Sequence, residues 1–70
     1  MKLNLYYERQ ESGWSQGFVA DNLKISRPYY SMVEAGSRTP SLSLVRKLET
    51  MFDHSYDYLL SVRGSEKGEV

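Results

Sequence analysis

Cysteine is absent from the chain. That excludes a disulfide framework and a cysteine-ligated metal site, and it is compatible with a reducing compartment. Histidine occurs once, as His54. It has no second histidine and no cysteine to join it, so a metal site is not expected. Ser15, Ser26 and Ser41 do not make a triad with it, because nothing brings His54 near them. Asp53 and Asp57 read as capping and solvating residues rather than a catalytic pair. There is no glycine-rich phosphate loop. No apolar run approaches the roughly 20 residues of a membrane span. Met1-Lys2-Leu3-Asn4-Leu5 lacks the long apolar stretch and the cleavage site of a signal peptide. These absences lead to the expectation of a soluble, cytoplasmic protein that uses no cofactor and is not an enzyme.

Net charge is also lacking, since nine Lys and Arg offset nine Asp and Glu. The distribution is less even than the sum. Residues 24–47 hold Lys24, Arg27, Arg38, Arg46 and Lys47 against Glu34 alone. The segments on either side are net acidic. One face of the folded chain can therefore attract phosphate while the rest keeps it soluble. Seventy residues, 40% of them apolar, allow one domain with one core. A chain of this size buries only about 60% of the surface it exposes when unfolded. With no disulfide or metal, tight helix packing or self-association must stabilise it.

Leu3, Tyr6 and Tyr7, with Leu5 beside them, predict a short helix over 2–12 that Gly13 ends. Ser15 caps a second helix, Ser15–Leu23, whose inner face is Val19, Ala20 and Leu23. A turn follows at Lys24-Ile25. Ser26 caps the third helix, Ser26–Ala35, with Pro28 in its first turn, where a missing N–H matters little. Tyr30 and Val33 face inward, and Gly36 closes it. Thr39 as cap and Pro40 as first residue open a fourth helix, with Leu44, Val45, Leu48, Met51 and Phe52 on one stripe. Ser55 caps a fifth, holding Tyr56, Tyr58, Leu59 and Leu60. The predicted fold is all-α, a compact five-helix domain over 1–62, with a disordered tail over 63–70. Helices two and three, joined by so short a turn, form a helix-turn-helix.

Several motifs, in order, carry a resemblance. They are Gly13-Trp14-Ser15-Gln16, Val19-Ala20, Leu23, Ile25-Ser26-Arg27, Glu34-Ala35-Gly36 and Arg38-Thr39-Pro40-Ser41. Together they resemble the Cro/CI-type repressors, the XRE family, over residues 2–60. Phe52, Ser55 and Leu59-Leu60 are similar to that family's fifth helix. Three residues depart from the pattern. Lys24 stands where the family usually has glycine, and at positive φ it costs on the order of 1 kcal/mol. Glu8 replaces an apolar residue in helix one. Ala35 replaces a frequent asparagine.

The resemblance implies a regulator that binds double-stranded operator DNA. Arg27 opens the helix that would enter the major groove, where it can pair with guanine O6 and N7 or contact phosphate. Pro28 stiffens that first turn. Tyr29 reads as a phosphate or base contact, or as a plain surface aromatic. Ser31 can bond a base edge. Met32 reads as a thymine-methyl contact or as semi-exposed packing. Gln16, at the amino end of helix two, is expected to clamp the DNA backbone rather than cap its own helix. Ser37 and Arg38 meet the backbone from the following loop. Arg9 and Glu34 occupy the positions of a partly buried ion pair. A homodimer is expected, through Phe52, Tyr56, Tyr58, Leu59 and Leu60, some of which must be core. A short phage or mobile-element repressor of Cro type is the leading expectation. The alternatives are an anti-repressor that binds another repressor protein, and an antitoxin or restriction-modification controller of the same fold.

Overall fold

A computed structural model describes residues 2–62; the expected tail, 63–70, lies outside the described residues. Five helices follow in order: α1 (Asn4–Ser12), α2 (Gln16–Leu23), α3 (Arg27–Ala35), α4 (Leu42–Phe52) and α5 (Tyr56–Leu59). The fold is all-α, as predicted, and α2 and α3 form the helix-turn-helix.

Four of the five helix starts have a local chemical cause. Ser15, Ser26, Ser41 and Ser55 all sit in extended backbone just before a helix. Each hydroxyl accepts from the N–H three residues on, at 3.0–3.3 Å. These bonds satisfy donors that the helix itself leaves free. The fourth helix corrects the expectation. Its cap is Ser41, not Thr39, and Pro40 is buried just outside the helix. Serine at 41 offers a hydroxyl where the first turn begins, so the proline is buried ahead of the helix instead of starting it.

Helix ends use left-handed residues. Gly13 and Gly36 close α1 and α3 at φ 76° and 81°. Lys24 closes α2 at φ 63°, and its N–H reaches back to Asp21. Lysine thus occupies the conformation that glycine would adopt without strain. Ile25 N–H donates to the Ala20 carbonyl at 3.1 Å, and Lys47 Nζ of α4 donates to the Leu23 carbonyl at 3.2 Å. The last carbonyls of α2 are satisfied from two sides, and Ser26 then starts α3.

The core is Leu5, Val19, Ala20, Leu23, Tyr30, Val33, Leu44, Leu48, Phe52 and Leu59. The inner faces predicted for α2 and α3 are those buried. One expectation fails here and another is narrowed. In α1 the buried positions are Asn4, Leu5 and Arg9, while Tyr6 and Tyr7 are half-buried. In α5 Leu59 is fully buried, and Phe52, the last residue of α4, is 7% exposed and meets the Trp14 ring edge-on. Phe52 and Leu59 are therefore the members of the expected dimer set that belong to the core of the chain itself.

α1 is tied to the end of α5. Leu3 and Val62 form an antiparallel bridge. Asn4 N–H donates to the Ser61 carbonyl, and Asn4 Nδ2 donates to the Tyr58 carbonyl, both at 2.8 Å. Glu8, the odd residue of α1, is used in the same seam. It accepts from the Tyr58 hydroxyl at 2.8 Å and lies 3.4 Å from His54 Nε2. The carboxylate replaces an apolar contact with polar ones, and the Tyr58 hydroxyl faces α1.

Lys24→Gly removes the left-handed penalty of roughly 1–2 kcal/mol. Glycine's extra freedom in the unfolded chain offsets roughly half of that gain. The melting temperature should rise by about 3–6 °C for a domain of this size. Circular dichroism melts of both proteins check it, and an unchanged or lower midpoint excludes strain at this turn.

Candidate nucleic-acid interface

The first turn of α3 is set by the Ser26 hydroxyl, which accepts from Tyr29 N–H at 3.2 Å, and by Pro28. Arg27 and Pro28 are exposed at this turn. Core residues Tyr30 and Val33 fix the roll of the helix, so Ser31 falls half-buried and Met32 is 38% exposed on other sides. The loop after α3 folds back on it. Ser37 Oγ donates to the Met32 carbonyl at 3.2 Å. The Arg38 guanidinium lies over the Tyr29 ring, 5.3 Å from its centroid. This contact joins two of the sequence-predicted residues and gives Tyr29 a role that spacing alone left open.

Behind this surface lies a buried charge network. Glu34 sits near the carboxyl end of α3 and is 6% exposed. Arg9 Nε donates to Glu34 Oε2 at 2.6 Å, and Arg9 Nη2 donates to Oε1 at 3.2 Å. Tyr30 Oη, one turn earlier, donates to Oε2 at 2.8 Å. Gln16 Nε2 donates to Oε1 at 2.9 Å. Arg9 Nη1 donates to the Trp14 carbonyl at 2.8 Å, which joins α1 to the start of α2. Among the described residues, no buried side-chain polar atom is left without a partner.

The electrostatics follow from these bonds. Burial pushes the Glu34 carboxyl up, but donors from Arg9, Gln16 and Tyr30 outweigh burial and hold it below the usual carboxylate value. The hydrogen bond to Glu34 raises the Arg9 pKa. Burial, then the bond to the Glu34 carboxylate, pushes the Tyr30 hydroxyl far above its ordinary range. Glu34 and Arg9 stay charged near neutral pH, and Tyr30 stays a donor.

The sequence reading missed two parts of this arrangement. Tyr30 was read as core, and its hydroxyl as a network donor was overlooked. The signal was its i, i+4 spacing to Glu34. Gln16 neither caps its helix, which Ser15 does, nor stands alone on the surface. It shares a polar cleft between α1 and α3 with Lys2, Tyr6, Ser31, Glu34 and Ala35. Lys2 Nζ lies 4.6 Å from the centroid of the Tyr6 ring in this cleft.

Two serine-capped helices, a left-handed turn and an exposed polar start to the second helix define a helix-turn-helix domain. The helix-turn-helix family model HTH_3 matches residues 5–59, and the chain belongs to that family, of the XRE type. It is similar to three proteins of Bacillus subtilis (strain 168). It is 38% identical over 64 residues to the uncharacterized HTH-type transcriptional regulator YqaE, covering 91% of this chain and 55% of that one. It is 39% identical over 59 residues to the HTH-type transcriptional regulator AnsR, covering 84% and 48%. It is 40% identical over 48 residues to the uncharacterized HTH-type transcriptional regulator YqaF, covering 69% and 63%. The chain thus spans about half to three-fifths of the length of these relatives. No solved structure matches it. Among the described residues, no helix is long and apolar enough to cross a membrane.

Glu34 has a lowered folded-state pKa, so it stabilises the fold fully above the unfolded carboxylate value of about 4.3. That contribution is lost as pH falls through the lower folded value. Melting curves from pH 7 down to pH 2 should show a steep acid limb for the wild type and a shallower one for Glu34→Gln. Parallel limbs exclude the linkage. Glu34→Ala strands the Arg9 charge, which costs about 3–5 kcal/mol. The midpoint at pH 7 should fall by more than about 10 °C, whereas an unchanged midpoint shows that the pair contributes nothing.

Proposed function

We propose that the protein is a DNA-binding transcription regulator that reads operator DNA in the major groove with α3. The observation that carries this reading is the start of α3, where Arg27 and Pro28 are exposed and held in a defined direction by the Ser26 cap, with Met32 exposed one turn on. Membership of the helix-turn-helix family supports it, as do relatives named as transcriptional regulators.

Arg27 is the base reader in this proposal. Its planar fork suits the two acceptors of guanine. Tyr29 and Ser31 flank it, and Met32 offers a methyl contact. Gln16 and Ser37 bond the backbone, and Arg38 supplies charge from its seat on Tyr29. The finer reading, a repressor of Cro type from a phage or mobile element, rests on the motif resemblance. The anti-repressor and the antitoxin or controller readings keep the fold but change the partner or the setting.

A second copy of the chain is proposed to seat against the groove between α4 and α5. Leu42, 69% exposed, lines it with Val45 and Tyr56, and Arg46 and Asp57 stand on the same groove. In a two-fold interface each residue meets its counterpart's neighbour. Arg46 of one copy can therefore face Asp57 of the other, and the reverse. This surface replaces the buried Phe52 and Leu59. Sedimentation should show a concentration-dependent dimer that Leu42→Lys abolishes. Arg46→Asp should weaken it, and adding Asp57→Arg should restore it. A wild type that is monomeric both free and on DNA removes the dimer and favours the anti-repressor reading.

Binding-site selection from random duplexes tests the main proposal. The wild type should enrich one motif. Arg27→Lys keeps the charge but loses the fork. It should relax preference at one base pair per half-site, a discrimination of about 1–3 kcal/mol. An identical motif would demote Arg27 to a phosphate contact. Selection of no motif by the wild type overturns sequence-specific DNA binding. Affinity should fall with salt, by roughly 0.9 in log–log slope per neutralised phosphate. Arg38→Ala should flatten that slope, and Gln16→Ala should lower affinity without flattening it.

A further inference from the structure

We propose that Glu34 is a positioning residue for DNA binding: it holds the Gln16 carboxamide in place at the α1–α3 cleft before any duplex arrives. This inference rests on the DNA-binding reading and names a residue that never touches DNA. Gln16 is the first residue of α2, at the end where free backbone N–H groups favour an anion. A lone glutamine there would sample many rotamers and both amide orientations. Here its Nε2 donates to Glu34 Oε1 at 2.9 Å.

The chemistry of that bond fixes the amide. An ionised carboxylate only accepts, so the amide nitrogen must face Glu34. One N–H of Gln16 is spent on the carboxylate. The second N–H and the amide oxygen remain for the cleft that Gln16 shares with Ser31, Tyr6 and Lys2. Glu34 itself is held. Arg9 grips both its oxygens from α1, and Tyr30 bonds Oε2 from one turn earlier on α3. The residue that orients Gln16 is therefore fixed to the recognition helix. The backbone-facing side chain of α2 is indexed to α3 through it, not only through the turn at Lys24. A donor ordered in advance loses less side-chain entropy on docking.

A double-mutant cycle read by DNA affinity separates positioning from mere stability. The proteins are wild type, Gln16→Ala, Glu34→Gln and the double variant, assayed on the wild type's selected duplex well below every melting midpoint. Glu34→Gln should weaken binding about three- to tenfold in the wild type. In the Gln16→Ala background it should change binding less than about twofold, because the residue it acts through is gone. Equal losses in both backgrounds overturn the proposal. The second arm needs no variant. Side-chain amide ¹⁵N relaxation of the free wild type should show Gln16 rigid and the exposed Gln10 mobile. Equal mobility overturns the proposal, even if Glu34→Gln fails to fold. A wild type that binds no duplex overturns the DNA reading and this proposal together. Additive losses with intact binding overturn this proposal alone.

Discussion

The carboxylate of Glu34 is the constraint that organises this domain. A buried charge is tolerated only when its partners replace the water it has lost. Arg9, Tyr30 and Gln16 supply those partners from three helices. Each donor must be brought to one point, so α1, α2 and α3 cannot slide against one another without stranding a charge. An apolar core of this size would tolerate small shifts in register. The charge network does not, because hydrogen bonds lengthen steeply in cost while apolar contacts re-form. Burying an ion pair contributes little net stability by itself, but it selects one arrangement of the helices over near alternatives.

The remaining architecture uses one device repeatedly. Four of the five helices begin with a serine hydroxyl bonded to the third N–H beyond it. In a chain this short, little apolar area is available to pin each helix end. A cap that costs one small residue and works locally is an efficient substitute. The α2–α3 corner depends on it most. Two helices meet there across a three-residue connection, and the Ser26 cap and the left-handed Lys24 fix its angle from either side.

Much of this was legible in the sequence. The stripes of α2, α3 and α4 follow helical spacing, and three of the four serine caps precede a clear apolar pattern. Ser41 is masked in the sequence by Thr39-Pro40, which carries the stronger signal for a helix start. The α1 face was misread because its inner residues are polar. Asn4 and Arg9 are buried for their hydrogen bonds, which no hydropathy pattern reveals. Phe52 and Leu59 look like surplus apolar residues in sequence, and only the packing of α1, Trp14 and α5 shows where they go. At the candidate interface, the polar residues of α3 are readable from their offset to Tyr30 and Val33. The stacking of Arg38 on Tyr29 and the bond from Gln16 to Glu34 are not, since both link positions far apart along the chain.

The bridge between Leu3 and Val62 closes the described chain into a near ring. Linear order is then almost incidental to the shape, because residues close to the two ends of the described segment are neighbours. The loop at 37–39 is exposed and lies between two capped helices. Joining 3 to 62 through a short linker and opening the chain at that loop would keep every helix and every network bond. The helix-turn-helix would then sit at the end of the polypeptide instead of its middle. The domain is better described as a cycle of five helices held by one charge than as a string with a beginning.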